Sequence, residues 1–291
     1  LTNRVLLGKT NRGYQYSLTG ELQRNVRTGL GGSLAYTYTR ATNVNNGSSS
    51  RAISNWQFNE NKDINDPRVG TADYEIRHRI LGTLNYTLTY GDRFGTTIGL
   101  IYEGRSGEPF SWIYDGNANG DTQSFNDLVY VPENQSDIFL ESGNWELMNA
   151  FIEGSDALSE ARGSVIERNT ARAPWQNILD VQISQSIRTF EGQRIEIIAE
   201  VNNFLNLLND DWGRIQNTGF NNIPAWGFEG YVTPDQVGTV ENGRVITQDD
   251  VGKPRVNFEE ETVRERLNGQ QFFTSEIPSR WRARLSVKYT F

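Results

Sequence analysis

Apolar and polar residues alternate in seven separate stretches of this chain, and the last stretch is the clearest. From Trp281 to Phe291 the odd positions carry Trp, Ala, Leu, Val, Tyr and Phe, and the even ones Arg, Arg, Ser, Lys and Thr. A period of two puts one set of side chains on each face of a β-strand. The pattern predicts strands at 11–24, 29–41, 76–90, 94–104, 174–188, 193–205 and 279–291. In the first, Tyr14, Tyr16, Leu18 and Leu22 oppose Gln15, Ser17, Thr19 and Glu21. In the third, Leu84, Tyr86, Leu88 and Tyr90 oppose Thr83, Asn85, Thr87 and Thr89. Short polar turns at 25–29, 91–93 and 189–193 join six of the strands into three hairpins. Between hairpins lie long connections, 42–73, 104–174 and 205–280, the first rich in Asn, Ser, Gly and Asp. They read as loops, with one short helix predicted from Trp145 to about Leu158.

The strands sort their charges. Arg, Lys, Asp and Glu fall almost wholly on one face, where a barrel would hold water. A midplane Arg or Lys against lipid would cost roughly 2–4 kcal/mol. The apolar face is rimmed by Tyr86, Tyr90, Phe94, Tyr289 and Phe291 at one end and by Tyr36, Tyr38, Tyr102, Trp175 and Trp281 at the other. Tight turns at one end and long loops at the other are the asymmetry of outer-membrane barrels. The ending on Tyr289 and Phe291 resembles the assembly signal of bacterial outer-membrane β-barrels. The expected fold class is therefore all-β: an antiparallel transmembrane β-barrel with long extracellular loops, integral to the outer membrane. Its partners would be outer-membrane lipid and the barrel assembly machinery. Seven strands is an odd number, and single-chain bacterial barrels have even ones. Either a strand has gone unrecognised, or residues 1–291 are the C-terminal portion of a larger barrel. The alternative, a soluble sandwich, does not normally carry structureless connections this long.

Composition narrows the classes. Hydrophobic residues make up 36% of the chain, below the roughly 45–50% of globular proteins. A helical membrane protein needs runs of about 20 apolar residues, and none exists. A barrel needs only every second residue apolar. Disorder is disfavoured by 12 Tyr, 14 Phe and 7 Trp. A net charge of −8 disfavours nucleic acid as a partner. With no Cys and only His78, thiolate and multi-histidine metal sites are excluded, and no catalytic constellation appears. The chain is not expected to be an enzyme.

Several motifs point to one family. Glu167-Arg168-Asn169 followed by Arg172-Ala173-Pro174-Trp175, Asn177 and Asp180 resembles a segment near the C-terminus of TonB-dependent outer-membrane receptors. Val201-Asn202-Asn203-Phe204-Leu205-Asn206 with Asp211-Trp212-Gly213 resembles a strand end of the same family. Asp115-Gly116-Asn117-Ala118-Asn119-Gly120-Asp121 with Asn126-Asp127-Leu128 resembles its Oar-like branch. The resemblance implies a barrel of 22 strands, of which these would be the last seven. It further implies a lumenal plug and a TonB box, neither of which this sequence contains. The TonB complex would be engaged through that missing N-terminal part, and the activity would be import of an unidentified ligand. A free-standing small barrel acting as an adhesin or structural pore is the alternative. A soluble calcium-binding β-protein is a third reading.

Three sets of residues are candidates for function. Asp115, Asn117, Asn119 and Asp121 place oxygens at positions 1, 3, 5 and 7 of a loop with Gly at 6, a calcium-loop spacing. The twelfth position is Asn126, so Asp127 is the candidate closing ligand for Ca²⁺; otherwise the segment is an Asx/Gly turn. Arg77, Arg79, Glu103, Asp180, Arg188, Glu196, Glu200, Arg282, Arg284 and Lys288 are expected to face the lumen. There they would guide a ligand, dock a plug, or simply pair across a hydrated wall. Glu108, Pro109, Phe110, Trp112, Trp212, Phe220, Trp226, Phe228 and Tyr231 lie in the long loops, to stack on a ligand or to pack the loops together.

Overall fold

A computed structural model describes residues 8–26, 29–190, 192–259, 261, 269 and 271–291. Positions Arg27, Thr28 and Glu191 of two predicted turns lie outside the described residues, as do 260, 262–268 and 270 of the last connection. Seven long strands form one sheet in chain order: β1 (Tyr14–Arg24), β2 (Gly29–Asn43), β3 (His78–Tyr90), β4 (Phe94–Arg105), β5 (Gln176–Arg188), β6 (Arg194–Asn202) and β7 (Arg282–Thr290). Each neighbouring pair is antiparallel. These are the seven predicted strands, with ends moved by a few residues. β6 and β7 shorten most, each from thirteen predicted residues to nine, and β6 stops at Asn202. Asn203 turns into the left-handed region at φ +53° and starts a helix, Phe204–Leu208, so the predicted strand 193–205 is cut short. The sheet is open: among the described residues β1 pairs only with β2, which also pairs with the short strand Gly70–Thr71, and β7 pairs only with β6.

The register lines up the two faces across strands. Leu30, Tyr86, Ile98, Ile183, Ala199 and Leu285 form one continuous apolar row over six strands. Tyr90, Phe94, Ile187, Ile195 and Tyr289 form another beside the short turns. The opposite face carries hydroxyl pairs, Ser17 with Thr39, Thr19 with Thr37 and Ser33 with Thr83, each at 2.9 Å. Thirteen residues of β3 at about 3.3 Å each reach roughly 40 Å. Tilted by 35–45°, as barrel strands are, they cross an apolar slab. No helix among the described residues is long and apolar enough to cross a membrane, which says nothing about strands.

Ala41 is the only buried apolar residue in these seven strands. The hydrophobic core lies elsewhere, in the long connections. Strand Pro109–Asp115 anchors a second sheet, in the order Ala171–Arg172, Pro109–Asp115, Asn222–Tyr231, Pro254–Asn257, Phe139–Ser142. The pairings of Asn222–Tyr231 with Pro109–Asp115 and of Pro254–Asn257 with Phe139–Ser142 are parallel. Helices Trp145–Glu153 and Asp156–Glu160 join this layer, and Phe110, Trp112, Ile113, Met148, Phe151, Ile152, Leu158, Trp226, Val256 and Phe258 pack into one buried cluster. The expectation of structureless loops at 104–174 and 205–280 is therefore corrected: both fold together into a cap over one end of the wall. The predicted helix from Trp145 is in fact two. Gly154 ends the first, and Ser155 caps the second by accepting the Leu158 N–H.

Candidate functional site

The wall and the cap meet at a polar seam built around Glu75, just ahead of β3. The Glu75 side chain is fully buried and accepts from four donors. Arg40 donates from Nη1 to Oε2 at 3.2 Å, the Ala41 N–H to Oε2 at 2.7 Å, and Arg77 from Nε to Oε1 at 3.0 Å. Arg172 also donates from Nη2 to Oε1. Three guanidiniums thus share one carboxylate. Burial, then the like charge of Arg77, lowers Arg172 to about 10. Charge-assisted bonds are stronger than neutral ones, and a buried carboxylate needs such partners to stay ionised.

The motif around Arg168 completes the seam. Arg168 is buried and donates to Asn59 Oδ1 at 2.7 Å and to Asn43 O and Oδ1 at 2.6 Å. Asn169, at φ +60°, donates to Thr71 O and Asp73 Oδ1 and accepts from Ser111 Oγ. One short segment therefore ties the ends of β2 and the first connection to the cap sheet. Glu60 of that connection is buried, accepts from Asn222 Nδ2 at 2.9 Å, and has its carboxyl pushed up to about 7 by burial. At the other side of the wall, Asn203 Nδ2 donates to Gly213 O and Ser279 O, and its N–H to Asp180 Oδ1. Asn206 Oδ1 accepts the Trp281 N–H. This clamps the outer ends of β5, β6 and β7 together. Sequence reasoning passed over Glu75, Glu60, Arg40 and Asn59; the usable signal was Glu75, an acid placed where the alternation of β3 begins.

The candidate lumen residues lie on or beside one face. Arg79 pairs with Glu103 at 2.8 Å and Arg284 with Glu200 at 2.6 Å. Lys288 stands opposite Glu196, Arg282 opposite Asn202, and Arg188 opposite Arg194. Asp180 holds Asn203, and Arg77 belongs to the seam. His78, on the apolar face, bonds the Tyr36 hydroxyl through Nδ1 at 2.8 Å and sits between Tyr36 and Tyr38. Tyr289 and Phe291 are ring neighbours, 6.0 Å between centroids.

In the Asp115–Asp127 loop the side chains mainly bond the backbone. Asn117 Oδ1 accepts from the N–H groups of Gly120 and Asp121, Asn119 Oδ1 from Asp121, and Asp121 Oδ1 from Gln123. Asp127 Oδ2 accepts from Ala118 and Asn119, while Asp127 Oδ1 and Asn126 Oδ1 are buried without partners. Burial pushes the Asp127 carboxyl up to about 6. Gly120, the sixth position, has φ +77°, which suits glycine. Among the described residues no three His, Cys, Asp or Glu side chains are grouped to hold a metal. The side-chain oxygens here without a hydrogen-bond partner among the described residues include Asp127 Oδ1, Asn126 Oδ1 and the exposed carboxylate of Asp115.

The loop aromatics divide. Phe110, Trp112 and Trp226 are buried in the cap, and Phe228 packs against Tyr114 and Tyr231. Trp212, Phe220 and Tyr231 are exposed. No curated protein and no solved structure matches this chain. A family model described as outer membrane beta barrel domain matches residues 6–223. That span takes in β1 to β6 and the first part of the cap. The chain thus belongs to the outer-membrane β-barrel domain family and is a protein of the outer membrane.

Proposed function

We propose that this chain forms the C-terminal wall and extracellular cap of a TonB-dependent receptor, which imports a scarce ligand across the outer membrane. One observation carries the reading. The outermost strands, β1 and β7, run in the same direction because six antiparallel steps separate them. A wholly antiparallel barrel therefore closes only if an odd number of further strands lies between them, as a larger even-stranded receptor barrel would supply. The motifs at Arg168 to Asp180 and at Asn202 to Trp212 support the same family, and here they bind cap to wall and strand end to strand end. Loops that fold over the mouth suit a gate that admits some solutes and excludes others. The chain's own side chains would select and pass the ligand. Energy would come from the TonB complex through a plug supplied elsewhere.

The test is the intact mass of the protein isolated from its native membrane. A mass several times 33.0 kDa, with a plug sequence in the peptide map, supports the receptor. A mass near 33.0 kDa refutes it in favour of a small free-standing barrel.

A further inference from the structure

A cavity of about 560 Å³ opens where the seam meets the cap. Its volume lies within the range of small-molecule sites. Its lining combines two unlike charges with an aromatic wall. Arg77 and Arg172 stand at the wall side, Asp156 and Glu160 belong to the second cap helix, and Trp112 and Phe272 contribute rings.

The charges are uncommitted in complementary ways. Arg77 gives only Nε to Glu75, and among the described residues its two terminal nitrogens bond nothing. Three guanidiniums around Glu75 leave a surplus of positive charge there. A guanidinium edge of this kind takes a carboxylate with two parallel bonds. Asp156 and Glu160 are exposed and have no hydrogen-bond or ion-pair partner among the described residues. They do not neutralise the arginines across the cavity. The indole N–H of Trp112, a residue 3% exposed, also has no acceptor, although a buried donor normally finds one. A purely anionic ligand would meet the two carboxylates unfavourably, and a purely cationic one the arginines.

We propose that this cavity binds an amphipathic zwitterion of the size of a short peptide. Its carboxylate meets Arg77, its apolar body lies against Trp112 and Phe272, and its ammonium group faces Asp156 and Glu160. The site deepens the receptor reading by naming the ligand class, and rests on that reading only for transport, not for binding.

The experiment is calorimetric titration of the native-membrane protein in detergent with the tripeptide Ala-Phe-Ala, its N-acetyl form and its C-terminal amide. Saturable binding of the free tripeptide is expected, with at least a tenfold loss for either capped form. The double substitution Asp156→Asn with Glu160→Gln should weaken the free tripeptide about tenfold and should not weaken the N-acetyl form, which loses the repulsion of the two carboxylates. These two positions are exposed, so the protein still folds; Arg77→Gln tests the other end. No saturable heat with the free tripeptide, or equal affinity for all three forms, overturns the proposal. So does 3-phenylpropionate binding as tightly as the tripeptide, because an anion alone would then suffice. Absent binding with a high native mass removes the cavity assignment alone. Retained binding with a mass near 33.0 kDa removes the receptor alone.

Discussion

Replacing Glu75 by Gln keeps the shape of the seam and removes the carboxylate that three arginines share. Arg40, Arg77 and Arg172 would then face one another with no counter-ion. Their side chains are 27%, 30% and 18% exposed, so water relieves part of the repulsion. Breaking a buried ion pair from one side costs about 3–5 kcal/mol, and the partial exposure favours the lower end. A loss of about 3 kcal/mol corresponds to roughly 150-fold in an equilibrium. Opening of the cap away from the wall should rise by that factor, while the wall strands, which share no bonds with Glu75 beyond the end of β2, stay paired. Limited trypsin digestion of the folded protein in detergent reads this directly. If opening and closing are fast, the cleavage rate follows the open population, and cap fragments should appear about a hundred times faster. Heat-modifiable mobility on a gel should report an intact barrel in the same sample. Arg284→Gln, which breaks the more exposed pair with Glu200, should change neither readout by more than about 1 kcal/mol. A Glu75→Gln protein cleaved at the wild-type rate would refute the claim that this carboxylate holds the cap.

Other outcomes follow from the same geometry. Glu60, with its carboxyl at about 7 against an ordinary 4.5, favours the folded cap in its neutral form. Its contribution is full below pH 4.5 and is lost as pH rises through 7, a difference of about 3 kcal/mol. Cap protection should therefore fall from pH 5 to pH 8, and fall less in Glu60→Gln. Leu100 lies in a central apolar row with Leu84, Val181, Val201 and Ala283. Leu100→Arg should cost roughly 2–4 kcal/mol in urea unfolding from lipid vesicles, whereas Gln182→Arg on the opposite face should cost under about 1 kcal/mol. Because backbone bonds already hold the Asp115–Asp127 loop, chelation with EDTA should leave tryptic protection of the cap unchanged. Lost protection that calcium restores would assign a metal to Asp127 and Asn126.

The wall was legible in the sequence because lipid enforces strict alternation. Apart from His78 at the end of β3, the outward positions of β3 and β7 carry no polar side chain beyond a Tyr hydroxyl, whatever their neighbours do, so periodicity alone finds the strands. Where contact with lipid ends, the rule ends too. The cap therefore reads as loop in the sequence, although Phe110, Trp112 and Ile113 are buried there. Pro109–Asp115 is covered on both faces and carries no alternation, and one of its two partners, Asn222–Tyr231, pairs with it in parallel from over a hundred residues away, which no local pattern announces. The seam was half legible. Arg168 and Arg172 stood out by motif, but Glu75 and Glu60 gain their meaning from neighbours nearly a hundred residues or more away. The helix from Trp145 was visible in outline, and its break at Gly154 followed from ordinary capping chemistry that the spacing alone did not reveal.

The shared direction of β1 and β7 also sets a rule for what can meet the two edges of this wall. If two such seven-strand sections stood edge to edge, with their caps at the same end, β7 of one would meet β1 of the other. Both strands would run the same way, and the junction would be parallel in an otherwise antiparallel wall. Adding more copies repeats the mismatch at every junction. Any antiparallel neighbour at either edge must run opposite to both β1 and β7, so the same direction of strand completes the wall on either side.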